Sequence, residues 1–305
     1  MIRYLLKKAS ILLLSLFVVI TLTFVLMHSI PGDPFVQDKG VPEEILKALH
    51  KHYGLDKPLY VQFGKYLYSL LHLDLGPSFK YQGREVGAII AQGFPTSFYL
   101  GLEALTFAIF GGLLLAAIAS FHQGRWQDYM TMLIAVIGLS VPSFILAAFL
   151  QYLFAMRWDL FPVARFTSFS HSILPAVSLA ALPMAFIARL ARANMVEILH
   201  LDFVQTARAK GVSPVALAMR HVFKNALFPV ISYLGPLCAA VFTGSFAVEK
   251  IYGIPGLGQW FVTSITNRDY TMIMGTTIFY SALLLLCTFM VDILYCVLDP
   301  RVVYE

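Results

Sequence analysis

Charge is what this chain has least of. Asp, Glu, Lys and Arg make up 13% of its 305 residues, about half of the ~25% usual in a soluble domain. Apolar residues reach 59% and mean hydropathy is +0.75, more than the polar side chains can cover, so part of the solvent must be lipid. Cysteine is also scarce. Cys238, Cys287 and Cys296 sit singly in apolar runs, which supports neither a disulfide framework nor a zinc site. No internal repeat, low-complexity tract or Walker-type nucleotide loop occurs. Strict alternation is missing from the apolar stretches, which excludes a β-barrel.

What is there is a set of long apolar runs. A spanning helix needs roughly 20 of them in a row, and six stretches qualify: Ile11–Ile30, Ser97–Phe121, Tyr129–Met156, Ser172–Leu190, Leu227–Val248 and Met272–Leu298. The fold class expected is all-α, a six-helix membrane bundle in a lipid bilayer. The first run exceeds the ~7–15-residue core of a signal peptide and no small-x-small cleavage site follows it, so it reads as a retained helix. With the N-terminus inside, eleven basic residues (Arg3, Lys7, Lys8, Arg125, Arg189, Arg192, Arg208, Lys210, Arg220, Lys224, Arg301) fall on the cytoplasmic side. The short outer loops hold four: Arg157, Arg165, Lys250 and Arg268. That asymmetry gives an N-in, C-in topology. It also accounts for the net charge of +5 without nucleic acid.

The organisation follows: residues 1–30 as the first helix, 31–96 as an extracytoplasmic segment, and 97–305 as a five-helix core with a long cytoplasmic loop at 191–226. The outer segment holds amphipathic runs at Glu43–Tyr53 and Leu59–Leu71 and reads as a partly helical cap. Within the cytoplasmic loop, Gln205, Thr206, Ala207, Arg208, Ala209 and Lys210 favour helix. Gly211 supplies the left-handed residue that closes it, and Ser213 caps a second helix with Pro214 at its first position. The physics gives helix, glycine turn, helix, basic and exposed. An interfacial hairpin on anionic headgroups satisfies these features as well.

The run Phe203-Val-Gln-Thr-Ala-Arg-Ala-Lys-Gly211 resembles the Glu-Ala-Ala-x-x-x-Gly loop of ATP-binding-cassette importer permeases, in its peptide/nickel version, with Gln205 and Thr206 where other branches have Glu and Ala. Further motifs in order resemble the B-type permease subunit of that branch. They are Pro31-Gly-Asp-Pro34, Tyr53-Gly-Leu-Asp-Lys-Pro58, Asp74-Leu-Gly-Pro-Ser-Phe79, Val141-Pro-Ser-Phe144, Ile173-Leu-Pro-Ala176, Val248–Gly258, Asn267-Arg-Asp-Tyr270, Val291–Tyr295 and Leu298-Asp-Pro-Arg301. Gly76–Tyr81 looks most like oligopeptide permeases. The resemblance implies the type I importer permease fold in a bacterial inner membrane. It implies a loop, Gln205 to Gly211 with Ser213 and Pro214, that docks on an ATPase subunit. The partners it implies are a second permease, two cytoplasmic ATPase subunits that bind ATP and magnesium, and an extracytoplasmic peptide-binding protein. The chain itself would be non-catalytic and hold no cofactor or metal.

Other residues invite separate readings. The Gly253–Gly258 run could let backbone N–H groups approach an anion, but it lacks the closing Gly-Lys-Ser/Thr of a nucleotide loop and falls on the outer side. It reads as a tight turn. Glu103, about two turns into the second span, is a candidate pathway group, because a charge placed there costs roughly 2.5–3.5 kcal/mol on insertion scales. Asp292 and the arginines Arg189 and Arg192 lie at similar depth near the inner end, which predicts that Asp292 pairs with one of them. Tyr60, Phe63, Tyr66, Lys80 and Tyr81 are the expected contacts for the binding protein. The alternatives are a dipeptide or nickel importer of the same family, or a proton-coupled secondary transporter using Glu103 and Asp292. The histidines all fall in loops or at span ends, so no intramembrane hydrolase site is visible.

Overall fold

A computed structural model describes residues 2–30, 35, 43–81 and 83–298. The motifs Pro31–Pro34 and Asp299–Arg301 lie outside the described residues. Thirteen α-helices are found among those described: α1 (Ile2–Ser29), α2 (Glu43–Tyr53), α3 (Leu59–Leu71), α4 (Val86–Phe121), α5 (Trp126–Ser140), α6 (Ser143–Leu150), α7 (Phe169–Leu199), α8 (Asp202–Ala209), α9 (Pro214–Leu217), α10 (Lys224–Phe242), α11 (Phe246–Tyr252), α12 (Leu257–Thr266) and α13 (Tyr270–Leu298). The last residues of the α6 and α9 segments loosen into π-turns, Gln151–Arg157 and Ala218–Phe223. The one β pairing among the described residues is an isolated bridge, Pro77 with Glu85.

Five helices are long and apolar enough to cross a bilayer, and the α5–α6 pair makes a sixth if it is one span. The third stretch is therefore not the straight helix that its hydropathy suggests. Val141 turns extended (φ −89°, ψ 118°) ahead of Pro142, as a residue before proline is pushed to do, and the two halves meet at 107°. The second and fourth helices run past their apolar stretches, beginning at Val86 and ending at Leu199, so the first part of the 191–226 loop is a continuation of α7.

Helix α7 is the centre. It packs most extensively on α4 and also on α5, α6 and α10. The α4 face toward it is a ladder of small residues, Ala104, Ala108, Gly112 and Ala116, all buried. A Cβ on Gly112 would stand 2.8 Å from the Ile187 side chain, so the close approach of these two backbones requires glycine there. In lipid such small-residue packing, rather than hydrophobic exclusion, brings helices together. By contrast α1 leaves Leu13, Leu14, Leu22 and Leu26 exposed and packs against α13. Those apolar faces match an acyl-chain environment.

Helices α2 and α3 occupy the two amphipathic runs read from the sequence. Helix α3 packs at the start of α13, where Phe24, Met27 and Met274 are buried with Phe63 and Tyr66 packed on them. Two motifs far apart in sequence meet here. Buried Asp269 accepts hydrogen bonds from the Ser78 hydroxyl and the Phe79 N–H, and from the Met272 N–H at the start of α13. One carboxylate thus caps a helix and fastens the outer segment to it.

Candidate functional site

Short helix α8 is amphipathic within eight residues. Val204 and Ala207 are buried in the main core together with Ile198 and Leu199 of α7 and Leu217 and Val222. Gln205 turns its amide back to the Leu199 carbonyl at 2.8 Å, and Thr206 bonds the Asp202 carbonyl. The opposite side is open: Phe203 is 45% exposed, and Arg208, Ala209 and Lys210 are exposed.

The end of α8 follows from one residue. Gly211 takes φ +78°, its N–H bonds the Arg208 carbonyl and the Val212 N–H reaches back to Ala207. This is the paired hydrogen-bond pattern that closes a helix through a left-handed residue. Nothing lies within 4 Å of where a Gly211 Cβ would be, so the demand for glycine is purely conformational. Ser213 then accepts the Ala216 N–H at 3.4 Å and α9 begins at Pro214, as the sequence predicts.

The expected ion pair is corrected. Asp292 pairs with Lys8 of α1 at 3.1 Å, and Arg192 grips Asp128 of α5 with two 2.6 Å hydrogen bonds. Arg189 is exposed and joins neither. Equal depth was the basis of the expectation, but pairing also needs facing sides. Helix α13 packs on α1 and α10, whereas α7 packs on α5. The Asp128 side chain is 5% exposed and also accepts the Gly124 N–H at 3.0 Å. The forked geometry ties the α4–α5 turn to the stretch of α7 that leads into α8.

Glu103 has both carboxylate oxygens shielded, with no partner at hydrogen-bonding geometry among the described residues. Tyr99 stands one turn earlier on the same helix. Of the expected binding-protein contacts, Tyr60 is widely exposed. Phe63 and Tyr66 are instead packed on Phe24, and Tyr81 stands edge-on to Trp260.

A carboxylate that the sequence reading passed over lies beside the glycine run. Glu249 of α11 is fully buried and accepts the Ser97 hydroxyl at 2.7 Å. That hydroxyl in turn accepts the Leu257 N–H at 2.8 Å. A Cβ on Gly256 would stand 2.3 Å from the Glu249 carboxyl carbon, and one on Gly258 3.0 Å from its Oε2. The glycine run does cradle an anion at a helix N-terminus, and the anion is the chain's own. Burial pushes this carboxyl above the ordinary carboxylate range, while the Ser97 hydroxyl and the backbone N–H groups of Gln259, Gly258 and Ser245 pull the other way.

Residues 108–304 match the family described as binding-protein-dependent transport system inner membrane component, and residues 1–101 match that family's N-terminal region. The dipeptide transport system permease protein DppB of Bacillus subtilis is 47% identical over 302 residues, 99% of this chain and 98% of that protein. The oligopeptide transport system permease protein OppB of Salmonella typhimurium is 39% identical over the full length of both. DppB of Lactococcus lactis is 38% identical, covering 99% of each. A solved chain titled "Crystal structure of an amino acid ABC transporter with histidines" aligns with a TM-score of 0.49 at 17% identity, over 70% of this chain and 94% of that one, too slight a likeness to argue from. The chain belongs to the binding-protein-dependent transport system inner membrane components and is a multi-pass inner-membrane permease of the OppB and DppB type.

Proposed function

We propose that this permease is the non-catalytic membrane subunit of an ATP-driven peptide importer, lining one half of a pathway completed by a second permease. Two cytoplasmic ATPase subunits supply the energy, binding ATP and magnesium themselves, and an extracytoplasmic binding protein delivers the peptide. The observation that carries this reading is the construction of α8. Its inner side is anchored in the core through Val204 and Ala207, while Phe203, Arg208 and Lys210 are exposed. A short helix held this way transmits force as a rigid lever, which a hairpin resting on headgroups has no need to do. Gln205, Thr206, Ala207 and Ala209 form the body of that lever, and Gly211, Ser213 and Pro214 set the turn behind it. The N-terminus lies inside on the charge asymmetry, which places α8 in the cytoplasm. Family membership leaves the proton-coupled alternative without support.

The cargo is read as oligopeptides from the stretch Gly76–Tyr81. A dipeptide cargo is the second reading, favoured by the 47% identity to a protein named as a dipeptide permease. Glu103 is the candidate contact for a peptide amino terminus, since a carboxylate within a span suits a cation. The test is import by the reconstituted complex with peptides of two to eight residues, ATP hydrolysis being followed alongside. Import only of dipeptides defeats the oligopeptide reading, and hydrolysis-independent import defeats the whole scheme.

A further inference from the structure

The outer segment encloses a cavity of about 290 Å³ between α3, the outer end of α1 and the first turn of α13. Its chemistry is lopsided. Lys57 and Lys65 line it, and neither forms an ion pair among the described residues. Tyr66 is a lining residue too, and its hydroxyl is shielded, with no hydrogen-bond partner among the described residues. A hydroxyl left unmet in such a place is costly, so its persistence asks for an explanation.

The acceptors, by contrast, are largely spent. Gln62 gives its amide N–H groups to the carbonyls of Leu55 and Lys57, at 3.3 and 2.7 Å. Its oxygen faces His28 Nε2 at 3.1 Å. Asp74, the one carboxylate among the lining residues, accepts the Gly76 N–H at 2.8 Å. Of the charged side chains in the lining, two ammonium groups face a single, partly engaged carboxylate. The rest of the wall is mainly apolar, Phe24 and Met274 included, with His52, Ser69 and Thr271 also in the lining. A site rich in unused donors, weighted to positive charge and backed by apolar side chains selects an acceptor-bearing anion on an apolar body.

We infer that this cavity binds an organic carboxylate or phosphate carried on an apolar group, the anion held by Lys57, Lys65 and Tyr66 and the apolar part seated on Phe24 and Met274. Two sources share this chemistry: the carboxyl end of a short peptide, and the headgroup of a phospholipid at the level where α1 ends and α13 begins. The site does not depend on the transport reading, because binding is measured without import.

The experiment uses the purified full chain in uncharged detergent and native mass spectrometry. The probes are N-acetyl-alanyl-phenylalanine with a free or an amidated carboxyl end, and dioleoylphosphatidylglycerol against dioleoylglycerol. At least one anionic probe should bind saturably and about tenfold or more tighter than its uncharged counterpart, the scale of one charge-assisted contact. Which of the two binds identifies the source. The double variant Lys57→Ala/Lys65→Ala should weaken that binding about tenfold, and Tyr66→Phe severalfold. Asp74→Asn should tighten it. Both lysines are exposed, so an unchanged melting temperature is expected and checks the fold. Equal binding of charged and uncharged probes overturns the assignment. So does wild-type affinity in the lysine double variant or in Tyr66→Phe.

Discussion

Two short helices near opposite ends of the bundle, α8 and α11, end in the same way and serve different purposes. Each closes on a left-handed glycine, Gly211 at φ +78° and Gly253 at φ +63°. After Gly253 the chain turns inward: Glu249 is buried, Ser97 and the amides of the next helix surround it, and Tyr252 donates its hydroxyl to the Ala147 carbonyl at 3.0 Å. At Gly211 the chain turns outward, with Phe203, Arg208 and Lys210 exposed and neither cation in an ion pair among the described residues. An element whose polar groups are buried within the chain's own core is a structural joint. One whose charges are unmet is waiting for another molecule.

If the outer joint is structural, disturbing it should unfold the region. Gly256→Ala would set a Cβ 2.3 Å from the Glu249 carboxyl carbon, with Gly258 and Gly244 leaving the carboxylate no free direction. We expect a loss of about 3 kcal/mol, the upper range of overpacking a filled site, read as a lowered thermal midpoint of the detergent-solubilised chain. An unchanged midpoint would show that the cradle is slack.

The Asp128–Arg192 fork should come next. Asp128→Ala leaves a guanidinium facing an empty site, and breaking a buried pair costs about 3–5 kcal/mol. The Arg192 side chain is 28% exposed, so solvent reduces this to about 2 kcal/mol. Asp128→Ala/Arg192→Leu should recover part of the loss, because no orphaned charge remains. If the double variant is no more stable than the single one, the pair is not what holds α5 to α7.

Glu249 also gives a pH test. Its carboxyl is pushed above its ordinary value of 4.5 by burial, so the folded chain takes up the proton more readily than the unfolded one. The sign follows: its contribution is full below about pH 4.5 and is lost as pH rises through the folded value. The wild type should therefore lose stability relative to Glu249→Gln as pH rises above 4.5. Parallel curves for the two proteins would place the carboxyl in the ordinary range.

How much of this was legible in the sequence depended on which physical signal each feature leaves. Helices α2 and α3 could be read to the residue because an amphipathic run has both a period and an edge. The Gly211 turn was legible because a left-handed residue has few tenants. The bend at Val141–Pro142 was not, since hydropathy records composition and says nothing of direction. Asp128 was overlooked for Asp292 because depth along a helix can be read from sequence, whereas the side it faces is set by packing. Glu249 was hidden for a different reason. The glycines around it announced an anion, but nothing in their spacing says that the anion is seven residues back in the same chain.

The smallest effect on stability and the largest on function should come from Gly211. No atom lies within 4 Å of a Cβ added there, so Gly211→Ala pays only for the left-handed backbone, about 1–2 kcal/mol, and the cost falls on a loop outside the bundle core. The thermal midpoint should scarcely move. The turn, however, aims α8, and a residue that prefers φ < 0 will unwind its last hydrogen bonds, Gly211 to Arg208 and Val212 to Ala207. The expected result is an assembled complex that hydrolyses ATP with less peptide imported per ATP, more severely for Gly211→Val, whose branched side chain fits the left-handed region worse. Arg208→Glu and Lys210→Glu separate aim from attraction: they leave the turn intact and should weaken ATPase-subunit binding in a salt-dependent way. If Gly211→Val assembles and imports at the wild-type ratio, the turn carries no coupling. The contrast between the two glycine-closed helices would then be one of exposure alone.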